Sequence, residues 1–598
     1  MRLYLGLIIA LVIIAGAGLS ADKHSIRRVA ESDDSSMVSN RVHRIGNVWM
    51  NIANRGYFGN QAPGNRMSME DPEHPGTWAP QCEFPAGSGA QYLFQGALWL
   101  GALIRAEGYE YPRVSVAADG WVSGIKEFTA TSDTGIVERS CIEGAQDYLG
   151  REIYSPEAVA PQEFLAEFAD TLSDPDSVGR DPLDGEHRPL GIKISQKSMV
   201  WSDQDISDFI IVEWEIENVT GEYLKNLYIG MYVDGDVGDV EEHERYIDDL
   251  CGLDAWRYFE DNNGDMDSVA IDLAYIADND GRLGDVGEGN DFTAQGVSGV
   301  MLLNSPNPSP RTSFNWWISN GNSDLDFGPS WQDDGAPDDW TNQFGTPMGD
   351  VRKYFLMSNR EHDYDMVFSD DLDYIESHPQ VFYDQYGEII ESHNWSIPAE
   401  NDGPPVDYLC DLANGFDARY LISWGPLGIF DHVDDAGNRI YRLNPGEKFT
   451  VTIAYVCGED FHDRDNPQPD NENIDPNRFD FTDLRFNAGM AQYAFDRYLL
   501  SVHDAPAASL PQTLMLTSAF PNPFNSFTFV KFSASLPGIA RATLTDLSGR
   551  EVRVWTEMVS QPGSGCILVD GAGLANGLYW LRFEQNGFMA ATSLVLIK

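Results

Sequence analysis

Alternating apolar and polar side chains run through much of the chain, most clearly from Phe209 to Asn218. There, apolar residues at even positions alternate with mostly acidic residues at odd positions, a period typical of a half-buried strand. A turn at residues 218–222 leads to a second apolar run, Leu224 to Val233, which predicts an antiparallel hairpin over a core. A third alternating run covers residues 449–455. The pattern predicts a β-rich body over residues 46–500.

Helical periodicity is concentrated at the end of this body. Apolar residues between Leu484 and Leu499 recur at spacings of four and three, which places them on one face of a helix. We therefore predict one helix that closes the body, which is long enough to contain two subdomains. Residues 501–513, enriched in Ala and Pro, are predicted to be a linker.

Short β-type runs separated by turn residues fill the last part of the chain, residues 514–598. They recur about every ten residues, a spacing that predicts a small antiparallel sandwich of immunoglobulin type. The predicted fold class is therefore all-β and mainly antiparallel. A large sandwich-type body with one closing helix is followed by a small C-terminal sandwich.

Four motifs occur in order in this C-terminal region. They are Phe520 to Phe524 (Phe-Pro-Asn-Pro-Phe), Thr545 to Val552, Asn576 to Tyr579, and the final Ser593 to Lys598. The series resembles the type IX secretion system C-terminal sorting domain of Gram-negative bacteria. That resemblance implies an export signal that secretion machinery reads at the outer membrane. The residues that carry the motif are Pro521, Asn522, Pro523, Phe524, Asp546, Gly549, Arg550, Gly577, Tyr579 and Lys598.

The body carries a weaker resemblance. Residues 82–102, 314–317, 326–329 and 363–365 together resemble a group of large secreted bacterial proteins that have the same kind of sorting domain and no assigned activity. The glycines within residues 82–102 lack the Gly-Lys-Ser/Thr of a phosphate-binding loop. We expect them to allow close packing of a buried strand.

The N-terminus is typical of a secretory signal peptide over residues 1–21. A basic start precedes an almost unbroken apolar run at residues 3–17, and small residues follow. The run is shorter than the ~20 apolar residues of a spanning helix, so we expect no membrane span in the mature chain. A polar segment, residues 22–45, comes next. The chain is expected to pass through the periplasm and reach the outer-membrane surface or the medium.

The net charge of the chain limits the classes of molecule that it can bind. Lys and Arg number 39 against 94 Asp and Glu, which gives a net charge of −55 in 598 residues. Such a surface repels phosphate backbones, so nucleic acid is excluded as a partner. Divalent cations suit it, although solubility at the cell surface explains the acidity equally well.

Three groups of acidic loop residues are candidate calcium ligands. One follows a predicted strand, one has the alternate spacing of a calcium loop without its central glycine, and one is an Asp-Asn-Asp-Gly turn. Calcium accepts six to eight oxygens in irregular geometry. The alternative is that these are solvated turns, where Asp, Asn and Gly are common. The candidates are Asp234, Asp236, Asp239, Asp261, Asn263, Asp265, Asp267, Asp278, Asp280 and Asp285.

Signatures of catalysis are weak, and no catalytic residue is assigned. The chain has neither a Gly-x-Ser-x-Gly elbow nor a His-Glu-x-x-His helix. Trp316, Trp317, Trp331 and Trp340 could form a platform for sugars, but tryptophans of this kind are more often core residues. We predict a binding or structural protein with a glycan or another surface ligand as candidate partner. The alternative is a secreted hydrolase acting on polysaccharide or protein.

Cysteines form an even set in a chain expected to enter an oxidising compartment. Their spacing fits neither a zinc site nor a thioredoxin-type motif, and sequence alone does not choose among the disulfide connectivities. The set is Cys82, Cys141, Cys251, Cys410, Cys457 and Cys566.

Overall fold

The computed structural model describes most of the chain after residue 38, and the described residues belong to one compact unit. The described ranges are 39–60, 69–106, 109–120, 126–181, 183–239, 248–260, 267–282, 294–307, 310–318, 328–331, 347–377, 380–383, 389–393, 412–434, 437–468, 474–500, 515–520, 522, 524, 527–534, 538–547, 549–559, 563–585 and 588–597.

Strands dominate the described part of the body. They are β1 (Asn40–His43), β2 (Trp49–Ala53), β3 (Tyr57–Gly59), β4 (Cys82–Glu83), β5 (Ala90–Gln91), β6 (Gln95–Ala106), β7 (Tyr109–Val116), β8 (Thr129–Ala130), β9 (Val137–Arg139), β10 (Gln162–Asp170), β11 (Arg180–Asp181), β12 (Gly185–Glu186), β13 (Ile192–Val200), β14 (Phe209–Asn218), β15 (Leu224–Asp234), β16 (Gly238–Asp239), β17 (Asp249–Glu260), β18 (Asp267–Asp278), β19 (Val297–Asn304), β20 (Arg311–Ile318), β21 (Gln380–Tyr383), β22 (Ile389–His393), β23 (Ala418–Leu427), β24 (Ile429–Val433), β25 (Arg439–Leu443) and β26 (Lys448–Gly458).

Helices are few among the same residues. The α-helices are α1 (Pro175–Val178), α2 (Gly349–Ser358), α3 (Leu372–Ser377) and α4 (Thr482–Ala494), which continues as a π-helical segment, Phe495–Leu500. Short 3-10 turns lie at Gln204–Ile206, Pro329–Trp331, Met366–Phe368 and Pro476–Arg478.

Two large antiparallel sheets form the body. The first has the strand order β16-β5-β4-β2-β3-β6-β15-β23-β20, and β1, β7, β24 and β25 attach beside this path. The second has the order β17-β18-β19-β26-β14-β13-β10-β8, with β9 paired to β10. Apolar side chains from both sheets share one core, where Phe58 of the first sheet meets Trp214 of the second at 6.3 Å between ring centroids. The predicted all-β, sandwich-type body is confirmed.

The second sheet is covered on its other face as well. Helix α4 buries Leu484, Ala488 and Ala491 in a second apolar cluster with Ile211 of β14 and Val456 of β26. Because both faces of the sheet are covered, apolar residues occur at neighbouring positions at the start of β14. The helix predicted to close the body lies at this position.

The predicted hairpin between β14 and β15 is wrong, although both strands exist. Strand β14 pairs with β13 and β26 in the second sheet, whereas β15 pairs with β6 and β23 in the first. The connection is held by Asn218, whose Nδ2 donates to Glu222 O at 2.8 Å and Leu443 O at 2.9 Å. Alternation of apolar and polar residues shows which face of a strand is buried but does not identify the strand that pairs with it. From the sequence alone, a connection that crosses from one sheet to the other therefore cannot be distinguished from a hairpin.

Glycines of β6 allow close packing, as expected. A Cβ on Gly96 would lie 3.0 Å from Met231 Cε, and one on Gly101 would lie 3.0 Å from Met357 Sδ. Strand β6 therefore packs closely against its neighbours at these positions.

The C-terminal region forms two smaller sheets with their own core. Its strands are β27 (Met515–Phe520), β28 (Phe527–Ala534), β29 (Gly538–Asp546), β30 (Glu551–Val559), β31 (Gly563–Asp570), β32 (Gly577–Gln585) and β33 (Phe588–Leu596). The sheet orders are β27-β28-β31 and β30-β29-β32-β33. Val530, Leu544 and Phe583 belong to this separate core, while Phe527 meets Phe486 of α4 edge-on at 4.9 Å.

At the N-terminal side, β1 begins at Asn40, within the residues assigned to the polar segment, and pairs with β2. The predicted signal peptide, residues 1–21, and the linker, residues 501–513, lie outside the described residues. Across the described ranges, no helix combines the length and apolarity that a membrane crossing requires.

Candidate functional site

Acidic strand ends from both sheets meet at one end of the body. Strand β15 ends at Asp234, which lies opposite Arg419 of β23 in the first sheet. Strand β17 begins at Asp249, which lies opposite Asp278 at the end of β18 in the second sheet. A bridge between Asp249 and Phe416, just before β23, joins the two sets of strands. The fold thereby gathers acidic residues that are far apart in sequence.

Three of these residues, Asp234, Asp236 and Asp417, form what we call the acidic cluster. Each contributes one carboxylate oxygen, and these oxygens all lie within 4.8 Å of one another. Asp234 is fully buried, and the other two are half-buried. Asp236 has a φ of +48°, a left-handed conformation that Asp tolerates in turns and that redirects the chain after β15. Such a group of hard oxygen ligands suits a divalent cation, and calcium in particular.

Arg419 is the cation that the fold already places beside the cluster. Its Nε lies 3.1 Å from Asp234 Oδ2, and its NH2 lies 3.2 Å from Asp417 Oδ1. Burial alone would lower the pKa of Arg419, but Asp234 and Asp417 raise it well above its usual range. Burial raises the pKa of Asp234, and the guanidinium opposes that rise. The guanidinium of Arg419 thus bridges two of the three carboxylates of the cluster.

Asp249 lies behind the loop that carries the acidic cluster. The side chain is 1% exposed, and its Oδ1 accepts the Val237 N–H at 3.1 Å. Within the described part of the chain its Oδ2 has no hydrogen-bond partner, and it would lie 3.3 Å from a Cβ on Gly235. Burial raises the pKa of Asp249 well above its usual range, and Asp236 adds to the rise. A buried acceptor in this state is satisfied by a proton or by a cation.

In the predicted turn at Asp278 and Asp280, the two carboxylates accept hydrogen bonds from backbone N–H groups of the turn itself. Asp278 Oδ1 accepts the N–H of Asp280 at 3.0 Å and that of Gly281, while Asp280 Oδ1 accepts the Arg282 N–H at 2.8 Å. Burial raises the pKa of Asp278 well above its usual range, with Asp248 as the next cause. These two carboxylates therefore stabilise a buried turn and lie outside the acidic cluster.

The remaining candidates do not join the cluster in the part of the chain that the structure describes. The carboxylate of Asp239 points to another turn, where its Oδ2 would lie 3.4 Å from a Cβ on Gly89. Asp267 lies at the start of β18 opposite Glu260. Four candidates fall outside the described residues: Asp261, Asn263, Asp265 and Asp285.

Sequence reasoning missed Asp417 and Asp249. Asp417 reaches the cluster because β23 pairs with β15, and Asp249 because β17 begins beside that pair. Neither residue has a local spacing that points to a metal. The one available signal is the alternation of Asp417 and Arg419 at the start of an apolar run, which places both side chains on the same face of the chain.

A second buried network surrounds His187. Its Nδ1 donates to Glu127 Oε1 at 2.8 Å and its Nε2 donates to Asp170 Oδ1 at 2.7 Å. Burial alone would lower the pKa of His187, but Asp170 and Glu127 raise it to about 10. Ser115 of β7 donates to the other oxygen of Asp170 on β10, so the network joins the two sheets. With both nitrogens donating to carboxylates, His187 cannot accept a proton from Ser115, and the group lacks the arrangement of a nucleophile with its base.

The tryptophans predicted as a sugar platform or as core residues can be placed in part. Trp316 and Trp317 of β20 are fully buried in the core of the body, which confirms the core interpretation for these two. The side chain of Trp331 and the whole of Trp340 lie outside the described residues.

In the C-terminal region, Asn522 and Phe524 attach the first turn to the last strand. Asn522 Nδ2 donates to Ser593 O at 2.9 Å, and its Oδ1 accepts the Val595 N–H at 2.6 Å. The buried Phe524 accepts the Ile597 N–H at 2.8 Å. These motif residues therefore hold β33 in place.

The other motif residues close turns of the same sheets. Asp546 accepts the Arg550 N–H at 3.1 Å and pairs with its guanidinium at 3.0 Å, while Gly549 supplies a φ of +81° in this hairpin turn. Tyr579 donates to Ala575 O at 2.6 Å. Gly577 begins β32. Pro521, Pro523 and Lys598 lie outside the described residues.

These two small sheets and their motif turns form a separate all-β domain at the C-terminal side of the body. Residues 518–598 match the family model for the secretion system C-terminal sorting domain. The predicted resemblance is confirmed: this part is a type IX sorting domain, so the chain is exported to the cell surface or the medium and engages the type IX machinery.

Over its whole length the chain has only weak similarity to the known proteins reported below. No curated protein matches it. Among solved structures, it is similar to a putative aldose 1-epimerase from Escherichia coli K12, with 11% identity, coverage of 71% of this chain and 99% of that one, and a TM-score of 0.20. Dimeric latent PorU from Porphyromonas gingivalis gives 10% identity, coverage of 84% and 29%, and a TM-score of 0.13. Both scores are too low to bear on the body's function.

Proposed function

We propose that the body is a binding or structural component at the cell surface or in the medium, stabilised by calcium at the acidic cluster. The observation that carries the proposal is the convergence of Asp234, Asp236 and Asp417 within 4.8 Å. We further propose that the chain crosses the periplasm before the type IX machinery exports it, and the match to the sorting domain supports this route.

The chemistry of the ligands supports calcium at this cluster. Asp234, Asp236 and Asp417 each offer a carboxylate oxygen, and the buried Asp249 lies beside them. Calcium binds hard oxygen ligands of this kind and would offset the repulsion between neighbouring carboxylates. Extracellular calcium modules bind with Kd values of ~0.1–1 mM, and we expect this range here.

An exposed strand supports a binding role. Strand β24 is exposed along its whole length and pairs with β25 on one side. Ile429, Phe430 and Val433 are 57%, 51% and 53% exposed. These exposed apolar side chains and the unpaired edge of β24 among the described residues support a component that contacts another molecule.

Thermal unfolding of the full chain in calcium or in a chelator tests the metal. A ligand at a hundredfold excess over its Kd stabilises the folded state by ~2.7 kcal/mol, which corresponds to a rise in Tm of a few degrees. We expect Asp236→Asn and Asp417→Asn to reduce this rise. Asp239→Asn, in the same loop but outside the acidic cluster, is the matched control and should retain it. Equal melting curves in calcium, chelator and magnesium would reject the calcium proposal.

The binding role is tested separately with the secreted chain. We expect retention on a member of a panel of glycans and surface polymers, without turnover of polysaccharide or peptide substrates. Release of product from any substrate would favour the secreted hydrolase instead.

A further inference from the structure

Two cysteines meet across the core of the body. Cys82 Sγ lies 3.9 Å from Cys457 Sγ, and both side chains are fully buried. Cys82 lies in β4 of the first sheet and Cys457 in β26 of the second. The two residues are 375 positions apart, so the contact exists only because the sheets pack face to face.

Both cysteines sit on backbone that is held on each side. The Cys82 carbonyl accepts the Tyr92 N–H at 2.9 Å. The Cys457 N–H donates to Asp208 O at 2.9 Å, and its carbonyl accepts from Asn487 Nδ2 of α4 at 2.9 Å. Sulfurs in a disulfide are about 2.05 Å apart, so these two must approach by about 1.9 Å.

We propose that Cys82 and Cys457 form a disulfide in the secreted protein and that this bond joins the two sheets of the body. The inference goes beyond the proposed function and needs only export through an oxidising compartment, where disulfides persist. It does not depend on calcium or on any ligand of the body.

The oxidant is a protein disulfide of a periplasmic thiol oxidase. One cysteine thiolate attacks that disulfide, which forms a mixed disulfide and releases one oxidase thiolate. The second cysteine thiolate then attacks the mixed disulfide at the sulfur of the first cysteine. The bond between Cys82 and Cys457 forms, and the oxidase leaves with both its sulfurs reduced, having taken two electrons.

Oxidation must precede closure of the sandwich. In the folded body both sulfurs are shielded from another protein, and burial raises the pKa of Cys457 well above its usual range. Since the thiolate is the reactive species, a chain that folds in the reduced state should remain reduced.

Thiol counting on the denatured chain tests the bond directly. The full chain is purified from the medium of secreting cells without reductant, then unfolded in an alkylating reagent. We expect Cys82→Ser or Cys457→Ser to raise the number of alkylated thiols by one, because each releases its partner. Cys141→Ser, which removes an exposed free cysteine, is the control and should lower the number by one. A decrease by one in Cys82→Ser would overturn the proposal, as would the absence of a linked peptide in the wild-type digest.

Reductant-dependent melting tests the role of the bond. Closing so long a loop constrains the unfolded chain, so reduction should lower the Tm of the wild type by on the order of 5 °C. The buried Cys251 of β17 supplies a matched control, since Cys251→Ser should keep this shift while Cys82→Ser and Cys457→Ser lose it. A shift that persists in Cys82→Ser would overturn the proposed link. Should either variant fail to fold, the presence or absence of the linked peptide in the wild-type digest still decides.

Discussion

Asp234 and Arg419 face each other across the paired strands β15 and β23, with Arg419 Nε 3.1 Å from Asp234 Oδ2. Both side chains are buried, so each charge depends on the other for compensation. The same guanidinium also contacts Asp417, which fixes the position of a second acidic residue of the cluster. A buried ion pair thus shapes one side of the candidate calcium site.

Removal of this guanidinium should destabilise the body. Arg419→Met keeps most of the side-chain volume but leaves Asp234 buried without its counter-ion, which typically costs about 3–5 kcal/mol. Calcium should restore part of this loss, because it can take over the compensation. Urea unfolding with and without calcium measures both effects.

A matched control is Arg180→Met, because Arg180 pairs with Glu186 on the surface at 3.4 Å and the two side chains are 60% and 66% exposed. Exposed pairs contribute up to about 1 kcal/mol, so this variant should unfold close to the wild type. Equal stability of the Arg419 and Arg180 variants would contradict the role assigned to the buried pair.

Asp365 should give the body a measurable pH dependence. Burial raises its pKa to about 7, above the usual value of about 4, although it accepts the Leu253 N–H and the Tyr275 hydroxyl. An acidic group whose pKa is raised in the folded state makes its full contribution to the free energy of unfolding below about pH 4. This contribution is lost as the pH rises through about 7. Asp365→Asn keeps the shape and removes the titration.

We therefore expect Asp365→Asn to match the wild type near pH 4 and to be more stable at pH 8 by up to about 4 kcal/mol. Urea unfolding at a series of pH values measures the difference. A difference that stays constant from pH 4 to pH 8 would show that Asp365 ionises normally in the folded protein.

Features that depend on residues close together in the sequence could be predicted, whereas contacts between residues far apart in the sequence could not. Alternation predicted β14 and the four-and-three spacing predicted α4, because both patterns follow from local backbone geometry. The partner of β14 was wrong, since alternation does not encode which strand lies alongside. Asp417 was missed for the same reason. The sorting motifs were found because their residues and their order resemble a known family, although Asn522 itself acts on Ser593 and Val595, 71 and 73 positions away.

The buried His187 network should fail when its cation is removed. His187→Leu leaves Glu127 and Asp170 buried together, which typically costs about 3–5 kcal/mol near pH 7. In the wild type the folded-state pKa of about 10 means that the His187 contribution is complete below about 6.5 and is lost as the pH rises through 10.

The variant should regain stability in acid, because burial raises the pKa of Glu127 to about 7 and its protonation removes the repulsion between the two side chains. Thermal unfolding of both proteins between pH 4 and pH 8 provides the comparison, and the deficit should be smallest at pH 4. A deficit that is independent of pH would point to lost packing rather than to charge.

Export should depend on the folded sorting domain. Deletion of residues 514–598 is expected to leave the chain in the periplasm with a folded body, because that domain has a core of its own.

A smaller change, Asn522→Ala, removes two hydrogen bonds to β33, at 2.9 Å and 2.6 Å, and should destabilise the domain by about 1–3 kcal/mol. Immunodetection in the periplasm and the medium measures export, and a lower secreted fraction is expected for Asn522→Ala. Arg541→Ala is the control, since Arg541 forms an exposed pair with Glu551 at 3.6 Å, and such pairs contribute little to stability. If the deleted chain still reaches the medium, an export signal lies elsewhere in the protein; if Asn522→Ala alone is secreted normally, the contact with the last strand is dispensable for recognition.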